Sequence, residues 1–280
     1  MIKKALFDHV SALCSRKITL TYSTSFSLGI AFLGKELRQP IYDIYGFVRL
    51  ADEIVDSFVD YKGAILLNEL KEECFGAISR GISLNPVVNS FQRTVNKYHI
   101  DHDLIHSFLH SMEMDLSLVD FDSRQYDKYI LGSAEVVGLM CLKVFVNGDR
   151  QAYEKLRPFA MKLGAAFQKV NFLRDLNADY IQLKRSYFPN VNPTSVKRED
   201  KHRIEEEIST DFREALVGIK LLPRSSRRGV YLAYVYYKEL LKKIKKIPPN
   251  QLLNKRSRIS NSRKLLLLGY ASVRHAVNLL

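Results

Sequence analysis

The chain has no tryptophan, and among its 280 residues are only 13 glycines, 8 prolines and three cysteines. Each scarcity excludes something. Chains built of short strands and tight turns are rich in glycine and proline, so the low counts argue against an all-β architecture. Cys14, Cys74 and Cys141 are odd in number, far apart and form no C-x-x-C pair. Neither a disulfide framework nor a structural zinc site is indicated, and a reducing cytoplasm is the expected setting. The opening stretch, MIKKALFDHVSALCSRK, is too polar for the apolar core of a signal peptide. No apolar run reaches the ~18 residues that a membrane span needs. VVGLMCL at 136–142 and LLLLGYASV at 265–273 meet polar residues too soon. Linkers, low-complexity tracts and fixed-period repeats are also missing, so residues 1–280 are expected to form one domain.

What is present is ordinary for a globular protein: 46% hydrophobic and 26% charged residues, in a chain long enough to bury a large core. The net charge of +13 attracts anything anionic. Nucleic acid, an acidic membrane surface and a diphosphate substrate are all compatible with it.

The hydrophobic periodicity is helical nearly throughout. Leu104, Phe108, Met112 and Leu116 recur every four residues within 101–119. Leu163, Phe167, Val170 and Leu173 mark the apolar side of a long helix over 151–180, with Pro158 near its start. Segments 62–80, 203–222, 225–246 and 261–279 read the same way. Pro40, Pro86, Pro189, Pro193 and Pro248–Pro249 are expected between helices. The fold class that follows is all-α, a single-domain helical bundle.

Two acidic patterns break the apolar surroundings. In YGFVRLADEIVDSF (45–58), Asp52 and Asp56 lie four apart, hence on one helix face about 5–6 Å from each other. Bare, such a pair is destabilising, and burial raises its cost. A divalent cation removes the conflict, and hard oxygen ligands suit Mg²⁺, with Mn²⁺ as a substitute. The pattern recurs in QKVNFLRDLNADY (168–180), where Asn171, Asp175 and Asp179 form one line, with Gln168 a turn earlier. Each pattern has an arginine beside it, Arg49 and Arg174. Two such helices facing each other would hold bridging metal ions and a diphosphate. Metals and arginines would draw charge from the leaving diphosphate and leave a carbocation in an apolar cavity.

At these residues the sequence resembles the squalene/phytoene synthase family, from about residue 15 to 275. TYSTSFSLG (21–29) is similar to the family's N-terminal S-x-S-F segment, and YGFVRLADEIVD and QKVNFLRDLNAD to its two aspartate motifs. RSYFP (185–189) resembles the arginine–tyrosine segment that follows. SMEMDL (111–116) and GSAEVVGLM (132–140) resemble further helical blocks. YLAYVYYKELL and KRSRISNSRK look like C-terminal blocks of the bacterial phytoene synthases. The resemblance implies an isoprenoid-synthase fold with a central cavity and head-to-head coupling of two prenyl diphosphates. It implies that Asp52, Asp56, Asn171, Asp175 and Asp179 bind Mg²⁺, with Glu53 a secondary candidate. Ser23, Ser25, Arg49, Arg174, Arg185 and Tyr187 would hold diphosphates, with Phe26 in the same substrate-binding segment. Tyr45, Gln168 and Tyr236 would line the reaction centre beside Arg49. The final proton would pass to the released diphosphate or to a tyrosine network. Phe26, Phe47, Val137 and Leu163 are candidates for the tunnel lining.

Two positions depart from the family pattern. Leu131 stands where many members have a tyrosine, for which Tyr129 or Tyr126 could substitute, and Thr24 replaces a basic residue of some relatives. His102, His106 and His110 sit at helical spacing without a carboxylate or cysteine to complete a metal site, and read as a polar face. Asp115 is an extra polar group near the pocket. The basic runs KKIKK (242–246) and KRSR (255–258) come without a nucleic-acid-binding motif, so no nucleic-acid partner is expected. They fit contact with an anionic membrane, peripheral on its cytoplasmic face, or placement of Arg256 or Arg258 on the second diphosphate. The expected enzyme converts two geranylgeranyl diphosphates into phytoene. Farnesyl diphosphate as substrate, giving dehydrosqualene or squalene, is the alternative, and a non-catalytic relative the remaining one. The oligomeric state is not legible.

Overall fold

The computed structural model describes residues 2–58, 61–117, 119–254, 257–260, 266, 267 and 269. Arg256 and nearly all of the helix expected over 261–279 lie outside them. Among the described residues there is no β-strand, and the elements are helices: α1 (Ile2–Tyr22), α2 (Thr24–Ala31), α3 (Lys35–Asp56), α4 (Gly63–Arg80), α5 (Pro86–Tyr98), α6 (His102–Ser117), α7 (Ser123–Ile130), α8 (Val136–Val146), α9 (Arg150–Ile181), α10 (Arg198–Leu221) and α11 (Arg224–Lys245).

The starts of several helices follow from local chemistry. Asn85 caps α5, its side chain accepting from Val87 and Val88, and Pro86 fills the first helical position. Asp122 and Gln125 form a capping box on α7, and Asp149 caps α9. One proline differs from expectation: Pro40 lies inside α3 rather than before it. Pro158 lies inside α9, in its first third. Each removes one backbone donor, a loss that the packing of these two long helices tolerates.

A π-turn, Leu131–Glu135, joins α7 to α8. Its cause is crowding. Gly132 lies so close to α6 that a Cβ there would stand 2.5 Å from the Ser107 carbonyl oxygen. Gly164 of α9 approaches from the other side, where a Cβ would meet the Ala134 carbonyl at 2.5 Å. The helical run Ser123–Val146 thus continues through the turn. It reaches a mean hydropathy of 1.7, long and apolar enough to cross a membrane despite its polar interruptions, yet over half of that stretch is buried inside the protein.

Two large apolar clusters fill the interior. One gathers Phe47, Phe91, Phe108 and their neighbours from α3–α6 and α8. The other gathers Phe172, Leu173, Phe212, Tyr237 and their neighbours, mainly from α9–α11. α3 gives its apolar side to the first cluster and α9 to the second, so their polar sides meet at the seam. Phe47 belongs to the first core and not to a tunnel. It is fully buried and stacks on Phe91 at 4.1 Å with the rings parallel within 1°.

Candidate active site

Between the two clusters lies a cavity of about 1110 Å³. Ordinary small-molecule pockets run about 300–1,000 Å³, so this one suits an unusually large ligand or two. Along α3, Tyr45, Arg49, Asp52 and Asp56 follow one another at i, i+4, i+7 and i+11 and all line it. Along α9, Gln168, Asn171, Arg174, Asp175 and Asp179 line the opposite wall. Ser23, Ser25 and Phe26 come from the start of α2, and Tyr236 from α11. Beyond these groups the wall is apolar, with Val137, Leu163 and Phe159 among its side chains.

The carboxylates of the two helices sense each other. Burial first, then the charge of Asp56, pushes Asp52 up to about 7, against the pull of Arg49. Burial, then Asp175 and Asp56, pushes Asp179 up to about 8. That Asp56 acts on both Asp52 and Asp179 places one acidic pair across from the other. Among the described residues no three His, Cys, Asp or Glu converge into a closed metal site. The open arrangement of four carboxylates and the Asn171 amide is a hard-oxygen donor set. It matches an ion that keeps waters and binds phosphate oxygens besides one or two carboxylates. Glu53 forms an ion pair with Arg49. Arg174 donates from Nε to Asp175 at 3.0 Å. Arg49 also stacks on Tyr22 at 4.5 Å, while its Nε is buried with no hydrogen-bond acceptor among the described residues. Such a donor suits an incoming anion.

Arg185 and Tyr187 do not line the cavity but stand behind it. A reversal at Lys184 (φ 58°) returns the chain, and a bridge between Asp120 and Ser186 pins it. Arg185 Nη1 then donates to Asp56 at 2.7 Å and Nη2 to the Val55 carbonyl at 2.7 Å. Asp115 accepts from Tyr129 at 2.7 Å and from Tyr187 at 2.9 Å, and lies 3.7 Å from Arg185. Burial raises the Asp115 carboxyl to about 6, against Arg185 and the two hydroxyls. Of the two tyrosines near Leu131, Tyr129 lines the cavity and its hydroxyl is bound to Asp115, whereas Tyr126 is not among the lining residues. The Tyr126 hydroxyl is buried without a partner among the described residues.

Tyr237 is a site residue that the sequence did not single out. It lines the cavity, donates to the Asn171 Oδ1 at 3.2 Å and stacks on Phe167 at 4.1 Å. The YVYY run hid it, because periodicity alone does not say which adjacent tyrosine faces inward. Arg258 lines the cavity as well. The histidines form no metal site among the described residues: His106 stacks on Phe75, and His110 pairs with Glu113 at 3.1 Å.

A helical bundle around a deep cavity, with a cluster of carboxylates on its facing walls and apolar side chains beyond, has the isoprenoid-synthase fold. The family profile for squalene/phytoene synthase matches residues 20–263, and the chain belongs to that family. It is 25% identical to phytoene synthase of Arthrospira platensis, over 94% of this chain and 92% of that protein. It is also 25% identical to the chloroplastic phytoene synthase 1 of Solanum lycopersicum, over 97% of this chain and 68% of that one. Among solved structures, a ligand-bound dehydrosqualene synthase superposes with a TM-score of 0.82 at 20% identity, covering 96% of this chain and 98% of the other. Squalene synthase of Alicyclobacillus acidocaldarius gives 0.73 at 19% identity, covering 85% and 94%.

Proposed function

We propose that the protein condenses two geranylgeranyl diphosphates head to head, through prephytoene diphosphate, to phytoene, as a Mg²⁺-dependent prenyltransferase of carotenoid biosynthesis. The observation that carries this reading is the pairing of Asp52 and Asp56 with Asp175 and Asp179 on the facing walls of a 1110 Å³ cavity. Phytoene synthases at about 25% identity over nearly the whole chain support the choice of product.

Asp52, Asp56, Asn171, Asp175 and Asp179 would hold Mg²⁺, or Mn²⁺ in its place. Bound there, the metal supplies the positive charge that lets diphosphate depart. Arg49 and Arg174 bind diphosphate oxygens from either wall, and Ser23 and Ser25 orient them. Arg185, steadied by Asp115 and Tyr187, fixes the Asp56 carboxylate from behind. The apolar wall, with Phe26, Val137 and Leu163, aligns the prenyl chains and keeps water from the allylic cation. The rings of Tyr45, Tyr236 and Tyr237 face the same space, and aromatic faces attract a cation. The enzyme would work in the cytoplasm, at the inner face of the membrane that takes up its product.

A second reading is the thirty-carbon reaction on farnesyl diphosphate. It is favoured by the dehydrosqualene synthase at TM-score 0.82. Purified protein given Mg²⁺ and either diphosphate, with and without NADPH, separates the two. Phytoene from the longer substrate without NADPH is expected. Dehydrosqualene or squalene would select the second reading, and no hydrocarbon from either substrate would refute both.

A further inference from the structure

Helix α1 is turned inside out. The side chains it presses against α3 and α5 are small and polar: Ser11, Ser15 and Thr19 are all fully buried. Ile18 packs inward on the first core, but four other apolar residues point the other way. Leu6 is 65% exposed, Val10 44%, Leu13 45% and Leu20 43%. At 100° per residue these four fall within one quadrant of the helix, a continuous stripe over most of its 21 residues. A leucine stripe of this length in water is an interaction surface rather than scattered exposure.

Charge identifies what covers it. Lys3, His9 and Arg16 flank the stripe, and Lys17 stands within it, all exposed. The acid of this helix, Asp8, is turned inward, pairing with Lys4 at 3.0 Å and accepting from Asn89 at 3.1 Å. The outer face is therefore apolar and cationic. A second copy of the chain would bury Lys17 against leucines and bring like charges together, on a protein already at +13. A bilayer meets both needs: its acyl boundary takes the leucines, and its anionic headgroups take the lysine ends that extend outward.

The helix also leads to the site. Tyr22, its last residue, is half exposed, lines the cavity and carries Arg49 on its ring. An exposed residue that lines a cavity is at its mouth. We propose that α1 is a membrane-docking helix, lying in the plane of an anionic leaflet through Leu6, Val10, Leu13 and Leu20, so that the cavity mouth opens beside the lipid.

Co-sedimentation of the full chain with vesicles tests this without any substrate, and so independently of the catalytic reading. Binding is expected to vesicles of equal parts phosphatidylcholine and phosphatidylglycerol, much weaker to phosphatidylcholine alone, and reduced by salt. Leu6→Ser with Leu13→Ser should lower the partition coefficient at least tenfold. Lys3→Gln with Lys17→Gln should lower it by about fivefold for each charge. Val217→Ser, a half-exposed residue on α10, serves as control and should bind as the parent does. All variants should keep the parent's melting temperature, because the changed side chains are outside the core. No binding to anionic vesicles by the parent, or undiminished binding by the α1 variants, would overturn the proposal. So would a parent dimer in sedimentation that the leucine changes dissolve.

Discussion

Asp56 shows how the site is assembled one side chain at a time. It faces its own neighbour Asp52 and the opposing Asp179, and Arg185 holds it from behind at 2.7 Å. Replacing Asp52 or Asp175 by asparagine keeps the volume and removes a ligand charge. Turnover should fall by more than about a hundredfold, beyond the typical effect of losing a residue that only supports a metal ligand. Circular dichroism should be unchanged, and the metal-free melting temperature of Asp52→Asn equal or higher, since its repulsion with Asp56 is relieved. Asp175→Asn also gives up the ion pair with Arg174 and should melt no higher than the parent. Full activity in both variants would refute the metal role. The raised carboxyls also set a pH dependence. In the folded chain Asp52 and Asp179 keep protons up to about 7 and 8, whereas an aspartate in water titrates near 3.8. The folded state thus binds more protons, so metal-free stability should decline as pH rises from about 4 to about 8 and then level off. Melting curves should show Mg²⁺ stabilising the protein above that range more than below it. An equal shift at both ends would contradict the proposed coupling. Much of this was legible in the sequence, because acid spaced by four within an apolar helix is a conflict that needs a cation. The support of Asp56 by Arg185 and Asp115 was not, since it joins residues 129 apart in the chain.

At the level of elements, the π-turn decides how α6, α8 and α9 meet. Gly132 and Gly164 let backbones touch where any Cβ would collide. Gly132→Ala should force α6 away and lower stability by roughly 1–3 kcal/mol, with turnover falling as Ser133 and Ala134 shift in the cavity wall. A variant as stable and active as the parent would show that the close approach is not required. Phe47→Ala should cost about 3–5 kcal/mol through the void left beside Phe91, without altering product length. Substitution of Leu163, which does line the cavity, is where product length should change. The helices were legible because their apolar residues recur with the helical period. The π-turn was not, because it depends on a carbonyl of another helix. Phe47 was misplaced for a related reason: on α3 it is one of several apolar residues, and only packing tells the core side from the tunnel side.

At the level of the whole molecule, two apolar cores share one seam, and the acidic walls of that seam repel each other until something positive lies between them. Ligand and metal together therefore act as a clasp between halves. An unreactive diphosphate analogue should raise the melting temperature far more with Mg²⁺ than without it, by about 2.7 kcal/mol of stability at a hundred times its dissociation constant.

The space between those cores has a mechanical consequence as well. A chain that folds around 1110 Å³ of internal room occupies more volume folded than unfolded, wherever the apolar depth of that room stays dry. Hydrostatic pressure favours the smaller state. The empty protein should therefore unfold at lower pressure than the same protein filled with a prenyl diphosphate. The midpoint also rises because binding stabilises the fold, so the volume itself is read from the pressure slope of the unfolding equilibrium. The drop in that slope on filling would report how much of the cavity two lipid chains take up.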